Sequence, residues 1–191
     1  MECEASCVRP WLDAEDRLFV SGIGKVNAAA AAQRAIDAGA SEVINIGLAG
    51  GFGAGVKLGG VYEVSEAVQF DFDLAQLNGT AIGVLDGYDS PYLKFSPTGE
   101  HPAKILATGD RFNDSDADFD LIENGFKAEL ADMEGAAIAQ VCGQGGVCCR
   151  ALKCVTNVAG CESMTGQYAL ERERCLALLA KAAEKTFSRK R

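Results

Sequence analysis

The 191-residue chain is long enough for one domain with a sizeable core, and its 48% hydrophobic and 24% charged residues are ordinary for a globular protein. A net charge of -9 and a pI near 4.7 argue against a nucleic-acid partner, since the one basic cluster is the terminal Arg189, Lys190 and Arg191, read as a solvated end. No apolar run approaches the roughly 20 residues that span a bilayer. The opening MECEASCVRPW carries acid where a secretory signal carries base, so a cytoplasmic location without a membrane partner is expected.

In chain order the elements alternate. Arg17–Ser21 (RLFVS) predicts a short buried strand that runs into Gly22-Ile23-Gly24. An alanine-rich helix follows from about Lys25 to Ala38, stopped by Gly39. Glu42–Gly47 is a second strand, leading into the glycine-rich LAGGFGAG, and Val61–Phe70 a third. The turn formers cluster between about Phe72 and Pro102, which predicts a loop with a short strand near Ala81–Leu85. Lys104–Thr108 and Phe126–Leu130 read as strands, Glu134–Cys142 as helix and Cys148–Val155 as a long buried strand. The last helix runs from about Gln167 to Phe187, with Leu170, Leu176, Leu179, Ala180 and Ala183 near helical spacing.

Strands separated by helices imply a single α/β domain over residues 1–191, a central mixed sheet with helices on both faces. Ligands in such sheets sit at strand ends, where GIGKVNA, GLAGGFG, ATGDRFND, ADMEGAA and VTNVAG fall. The eight cysteines show no zinc-knuckle gap and there is one histidine, so buried free thiols are expected and neither a metal nor a cofactor.

At those segments the sequence resembles the nucleosidase branch of the nucleoside phosphorylase superfamily, most closely the 5'-methylthioadenosine/S-adenosylhomocysteine nucleosidases. The likeness is carried by Met1–Glu4 (MECE), Ser21–Asn27 (SGIGKVN), Asn45–Gly51 (NIGLAGG), Thr108–Phe112 (TGDRF) and Ala131–Val141 (ADMEGAAIAQV). It spans nearly the whole chain except the region around residues 72–102. The resemblance implies a three-layer α/β fold, a homodimer, and cleavage of the bond between a purine and its ribose. That chemistry builds positive charge on the sugar and negative charge on the base. By resemblance, Glu134 accepts hydrogen bonds from ribose hydroxyls, Met133 packs on the sugar, Phe112 stacks on the purine and Glu4 activates the hydrolytic water.

The sequence also departs from the pattern. The family has an apolar strand ahead of its acidic motif, whereas this chain starts at the motif; either the true start lies upstream or this end is remodelled, and an exposed sheet edge is expected. Where the nucleosidases carry an aspartate that protonates the purine N7, this chain has Asn157, which can donate a hydrogen bond but cannot act as a general acid. Leu48 stands where the family commonly has a serine facing the nucleophile. Arg111 is the one basic residue within TGDRF and a candidate substrate contact. Sparse phosphate-gripping groups favour water over phosphate. A purine nucleoside hydrolase is therefore the leading reading. A phosphorylase or a futalosine-type hydrolase acting on 6-oxopurines, and a non-catalytic purine nucleoside binder, are the alternatives.

Overall fold

The computed structural model describes residues 1–112 and 115–188; the basic tail Arg189–Arg191 lies outside them. A first helix, α1 (Glu2–Val8), leads through a short 3-10 turn to an irregular stretch before α2 (Lys25–Asp37). Then come β1 (Glu42–Gly51), β2 (Val61–Gln69), the single turn α3 (Ala75–Asn78), β3 (Leu93–Lys94) and β4 (Ala103–Thr108). The chain closes with α4 (Asp116–Asp120), a π-helical turn, β5 (Leu130–Asp132), α5 (Gly135–Gln144), β6 (Cys148–Val158) and α6 (Met164–Ser188).

The strands form one mixed sheet in the order β3-β2-β4-β5-β1-β6. A short antiparallel ladder from β6 back to β2 bends it towards closure. Helices cover both faces, as the alternating pattern implied. On one face α2 and α5 pack together through Ala28, Ala32, Ala136, Ala137 and Ala139, whose small side chains let the two helices sit close to each other, with α5 lying over β2, β4 and β6. On the other, Leu176, Leu179 and Cys175 of α6 pack on Leu48, Leu152 and Cys154. Covered on both faces, β6 is buried at almost every residue, which is why CCRALKCV shows no polar alternation. Among the described residues no helix is long and apolar enough to cross a membrane.

Several expected elements differ. Arg17–Ser21 makes no ladder: Phe19 and Val20 are exposed and the segment walls a cavity opposite β1. Apolar content predicts strand there, but a strand needs a neighbour for its backbone groups. Ala81–Leu85 is a turn, with Gly83 at positive φ bonded back to Phe72, and the short strand of that region is β3, paired with Glu66 and Ala67. Phe126–Leu130 begins as the end of the π-helical turn, and only Leu130 joins the sheet, as the first residue of β5.

The expected open edge is present. Over Glu42–Ala49, β1 has β6 as its ladder partner on one side only; its second side meets β5 at Gly50 and Gly51 alone. Residues 42–46 are accordingly only half-buried, and a side-chain oxygen of Asn45 is buried without a partner. An extended apolar segment joined upstream of Met1 should pair along this edge. It should raise the thermal midpoint by about 2–4 °C for each kcal/mol gained, measured by calorimetry; an unchanged midpoint would show that the edge does not accept a strand.

Candidate active site

The C-terminal ends of β1, β4, β5 and β6 meet in space, with Thr108 beside Asp132 and Gly50 beside Asn157 in the strand registers. A cavity of about 820 Å³ opens there and extends along the free edge of β1. Glu4, Leu48, Arg111, Phe112, Met133, Glu134 and Asn157, the residues singled out in the sequence, all line it. Segments separated by up to 153 positions in sequence are thus brought to one site.

Its polar centre is Asp132, at the end of β5. One carboxylate oxygen accepts from the Thr108 hydroxyl at 2.6 Å and from the backbone N–H of Glu134 and Gly135. The other accepts from Gly135 N–H at 2.9 Å and lies 2.8 Å from the ammonium of Lys153. Both side chains of that ion pair are only 2% exposed. Burial pulls the Lys153 pKa down, but the charges of Asp132, then Glu134 and Glu4, outweigh it and hold the amine protonated above its ordinary range.

This centre sets the strand-to-helix turn that presents Glu134. Glu134 is the residue before α5, and its Oε1 accepts from Gly24 N–H at 2.9 Å. Gly24 has a φ of 95°, a conformation that a side chain would strain, so glycine is what lets this N–H point at the carboxylate. The same loop is latched elsewhere: Lys25 N–H donates to Asp110 and the Lys25 ammonium pairs with Asp71 at 2.6 Å, while Asp110 N–H donates to Asp71. Burial and the neighbouring charge of Asp132 push the Glu134 carboxyl above the ordinary range, with Lys153 and the Gly24 N–H acting in the opposite sense.

Glu4 reaches the site from α1. Its Oε1 accepts from Leu48 N–H at 2.9 Å, and its other oxygen lies against the α-amino group of Met1. Gly47 makes this approach possible: a Cβ there would stand 2.8 Å from Glu4 Oε1 and 3.5 Å from the Lys153 ammonium, so the two opposite charges converge over one bare backbone position. Leu48 gives the site this N–H, while its side chain packs in the apolar cluster beneath α6. Phe112 is 42% exposed at the cavity, edge-to-face with Tyr168 at 6.4 Å between ring centres. Half-buried Met133 lines the cavity beside Glu134.

Arg111 lines the cavity with part of its guanidinium engaged: Nε and Nη2 make a bidentate pair with Asp118, and the group lies 4.9 Å from the Phe70 ring centre. Asn157 is 3% exposed; its Oδ1 accepts from the Thr156 hydroxyl at 2.8 Å and its Nδ2 faces Met164 Sδ at 3.5 Å. The sequence reading missed Lys153, Asp132, Thr108 and Thr156. One signal was available for Lys153: a lone cation inside the apolar run ALKCV needs a buried anion.

Lys153→Ala leaves Asp132 buried without its counter-charge and should cost about 3–5 kcal/mol of stability in urea unfolding. Because the folded pKa of Lys153 is raised, the pair's contribution is complete below the ordinary value of 10.5 and is lost only as pH rises through the folded value. A loss under 1 kcal/mol would show that the pair is not needed.

Comparison with known proteins identifies the family. The sequence model of the Phosphorylase superfamily matches residues 17–186. The chain is 34% identical over 161 residues to a 5'-methylthioadenosine/S-adenosylhomocysteine nucleosidase of Anoxybacillus flavithermus, covering 76% of this chain and 69% of that one. It is 30% identical to an aminodeoxyfutalosine nucleosidase of Campylobacter jejuni, covering 75% of this chain and 68% of the relative. In fold it is similar to a Helicobacter pylori nucleosidase solved as an aspartate-to-asparagine mutant with 5'-methylthioadenosine in the active site (TM-score 0.86, 22% identity, covering 100% of this chain and 96% of that one). A Neisseria meningitidis nucleosidase in complex with methylthio-immucillin-A superposes with a TM-score of 0.83 at 26% identity, covering 98% and 96%. With its family motifs gathered around one cavity and the superfamily match running through nearly all of its length, the chain belongs to the nucleosidase branch of the phosphorylase superfamily.

Proposed function

We propose that the protein hydrolyses the N-ribosidic bond of a purine nucleoside. The observation that carries this reading is the convergence of Glu134, Glu4, Lys153, Phe112 and Asn157 on one cavity. Glu134 keeps one oxygen on Gly24 and offers the other to the ribose hydroxyls. Phe112 offers a face to the base. Glu4, held by Leu48 N–H and set beside the Lys153 ammonium, is the acceptor for the proton of an attacking water. The named relatives act on nucleosides whose sugar carries varied 5' groups, and a purine nucleoside is the element they share. Water is favoured over phosphate as the nucleophile, because Arg111 is committed to Asp118 and Lys153 to Asp132, leaving little to grip a phosphate.

The test is base release from inosine, adenosine and 5'-methylthioadenosine with and without phosphate. Release that needs no phosphate is expected; release only with phosphate would make the protein a phosphorylase, and binding without release a nucleoside-binding protein. Glu134→Ala should lower kcat/KM by about 2–4 kcal/mol, the size expected when a buried charged hydrogen-bond partner is removed. Protonating Glu134 abolishes its grip, so activity should fall as pH drops through a value above the ordinary glutamate value of 4.5. Near-full turnover in Glu134→Ala would remove this residue from the ribose site.

The same reading makes the protein a cytoplasmic homodimer. Phe19, Val20, Ile23 and Val26 support the dimer: they are exposed large apolar residues within eight positions of one another, the first three lining the cavity, and a second copy would cover them. Light scattering at working concentration should give twice the chain mass of 20.0 kDa; a monomer would contradict it.

A further inference from the structure

We infer that Lys25, Asp71 and Asp110 form a latch that holds two loops of the site in one arrangement, so that the grip of Glu134 and the placing of Phe112 are set together. The inference rests on the nucleosidase reading above and adds three positioning residues to it. Ser21, Gly22 and Ile23 line the cavity from the loop ahead of α2, and Arg111 and Phe112 line it from the loop after β4. Lys25, Asp71 and Asp110 are not part of that lining. Two of them are nevertheless next to it in the chain. Lys25 follows Gly24, whose N–H holds Glu134, and Asp110 precedes Arg111 and Phe112.

Asp71, in the turn after β2, bridges the two loops and uses both of its oxygens to do so. Oδ1 pairs with the Lys25 ammonium at 2.6 Å, and Oδ2 accepts from Asp110 N–H at 2.9 Å. Asp110 Oδ1 in turn accepts from Lys25 N–H at 2.7 Å, which closes a ring of three residues. The preceding N–H, that of Gly24, donates to Glu134 Oε1 at 2.9 Å. Consecutive N–H groups at the start of α2 thus hold two carboxylates, where a helix N-terminus favours negative charge. The fit is close. A Cβ on Gly24 would stand 3.0 Å from Asp110 Oδ1, and one on Gly109 would stand 3.2 Å from Asp71 Cγ.

An ion pair in open water contributes little, because solvent competes for both charges. The Lys25 and Asp71 side chains are only 18% and 14% exposed, and Asp71 holds a backbone donor besides the ammonium. Removing the Lys25 charge leaves Asp71 with Asp110 N–H alone and releases the Gly24–Lys25 backbone. The Asp110 carboxylate then loses the anchor that ties the Phe112 loop to α2. A displacement of about 1 Å in a reacting geometry can cost on the order of a hundredfold in rate.

The test compares the parent chain with Lys25→Met, Asp71→Asn, the double variant and, as a control, Lys94→Met, which removes an exposed ion pair to Glu66 outside the cavity lining. Circular dichroism establishes that each is folded. Amide hydrogen exchange without ligand should quicken about tenfold or more in the latch variants over residues 19–24 and over residues 110–112 together. In Lys94→Met neither segment should change. For base release from inosine and 5'-methylthioadenosine, kcat/KM should fall by about ten- to a hundredfold in the latch variants. The double variant should be no worse than the poorer single one, since the residues act as a unit. The acid limb of the pH profile should move up, because the Gly24 N–H and Lys153 hold the Glu134 carboxyl down against Asp132 and Glu4. Arg111, which also faces Asp71, stays charged throughout. Exchange that quickens in one segment alone overturns the inference. So do losses that simply add in the double variant, or latch variants within twofold of the parent at an unmoved acid limb. If the parent cleaves no nucleoside, the hydrolase reading falls, and the joint exchange of the two segments decides the latch.

Discussion

The buried ion pair between Asp132 and Lys153 is the interaction on which the rest of the site depends. Two charges taken out of water cost several kcal/mol each, and a single contact at 2.8 Å does not by itself repay that. Here the remaining lone pairs of Asp132 are also satisfied, by the Thr108 hydroxyl and the N–H groups of Glu134 and Gly135. The pair therefore does more than balance charge. It fixes the first turn of α5 against the end of β4, and that turn aims Glu134. Removing either member would disturb the sheet, the helix start and the candidate catalytic carboxylate together.

The same positive charge lets three carboxylates share a small volume. Glu4, Asp132 and Glu134 repel one another, and the Glu134 carboxyl is correspondingly pushed upward. Lys153 is the cation that keeps such a cluster compact. Bare backbone at Gly47 leaves room for both the Glu4 carboxylate and the Lys153 ammonium over one position, and a positive φ at Gly24 turns an N–H towards Glu134. Loops from distant parts of the chain are then tied by hydrogen bonds rather than by packing, through Lys25, Asp71 and Asp110. Such ties place polar groups around a cavity without filling it.

The cavity extends beyond its polar centre along the side of β1 that carries no ladder. Along Glu42–Ala49 one side of β1 has no ladder, and Arg17–Ser21, extended in sequence character, stands across the gap without a partner. The relatives share the fold over nearly the whole of this chain. The side chains around this site include a leucine that contributes its N–H, an arginine paired with its own loop, and an amide at the end of β6.

Much of the fold was legible in the sequence. The alanine run of α2, the stop at Gly39, the buried strand CCRALKCV and the glycine-rich strand ends are local patterns, because periodicity and backbone freedom act over a few residues. The family motifs also pointed to Glu4, Phe112, Met133, Glu134 and Asn157, all of which line the cavity. Sequence alone did not decide whether Arg17–Ser21 would be a strand, since that depends on a neighbour being present. It did not show that Arg111 would be claimed by Asp118, that Leu48 would turn its side chain into the core, or that Lys153 would be the buried counter-charge. Nor did it show that Asn157 would be buried between Thr156 and Met164. Each of these depends on a partner distant in sequence or on the orientation of a single group. Only the tertiary structure decides them, because hydrogen bonds and ion pairs act between atoms that the fold brings within about 3 Å.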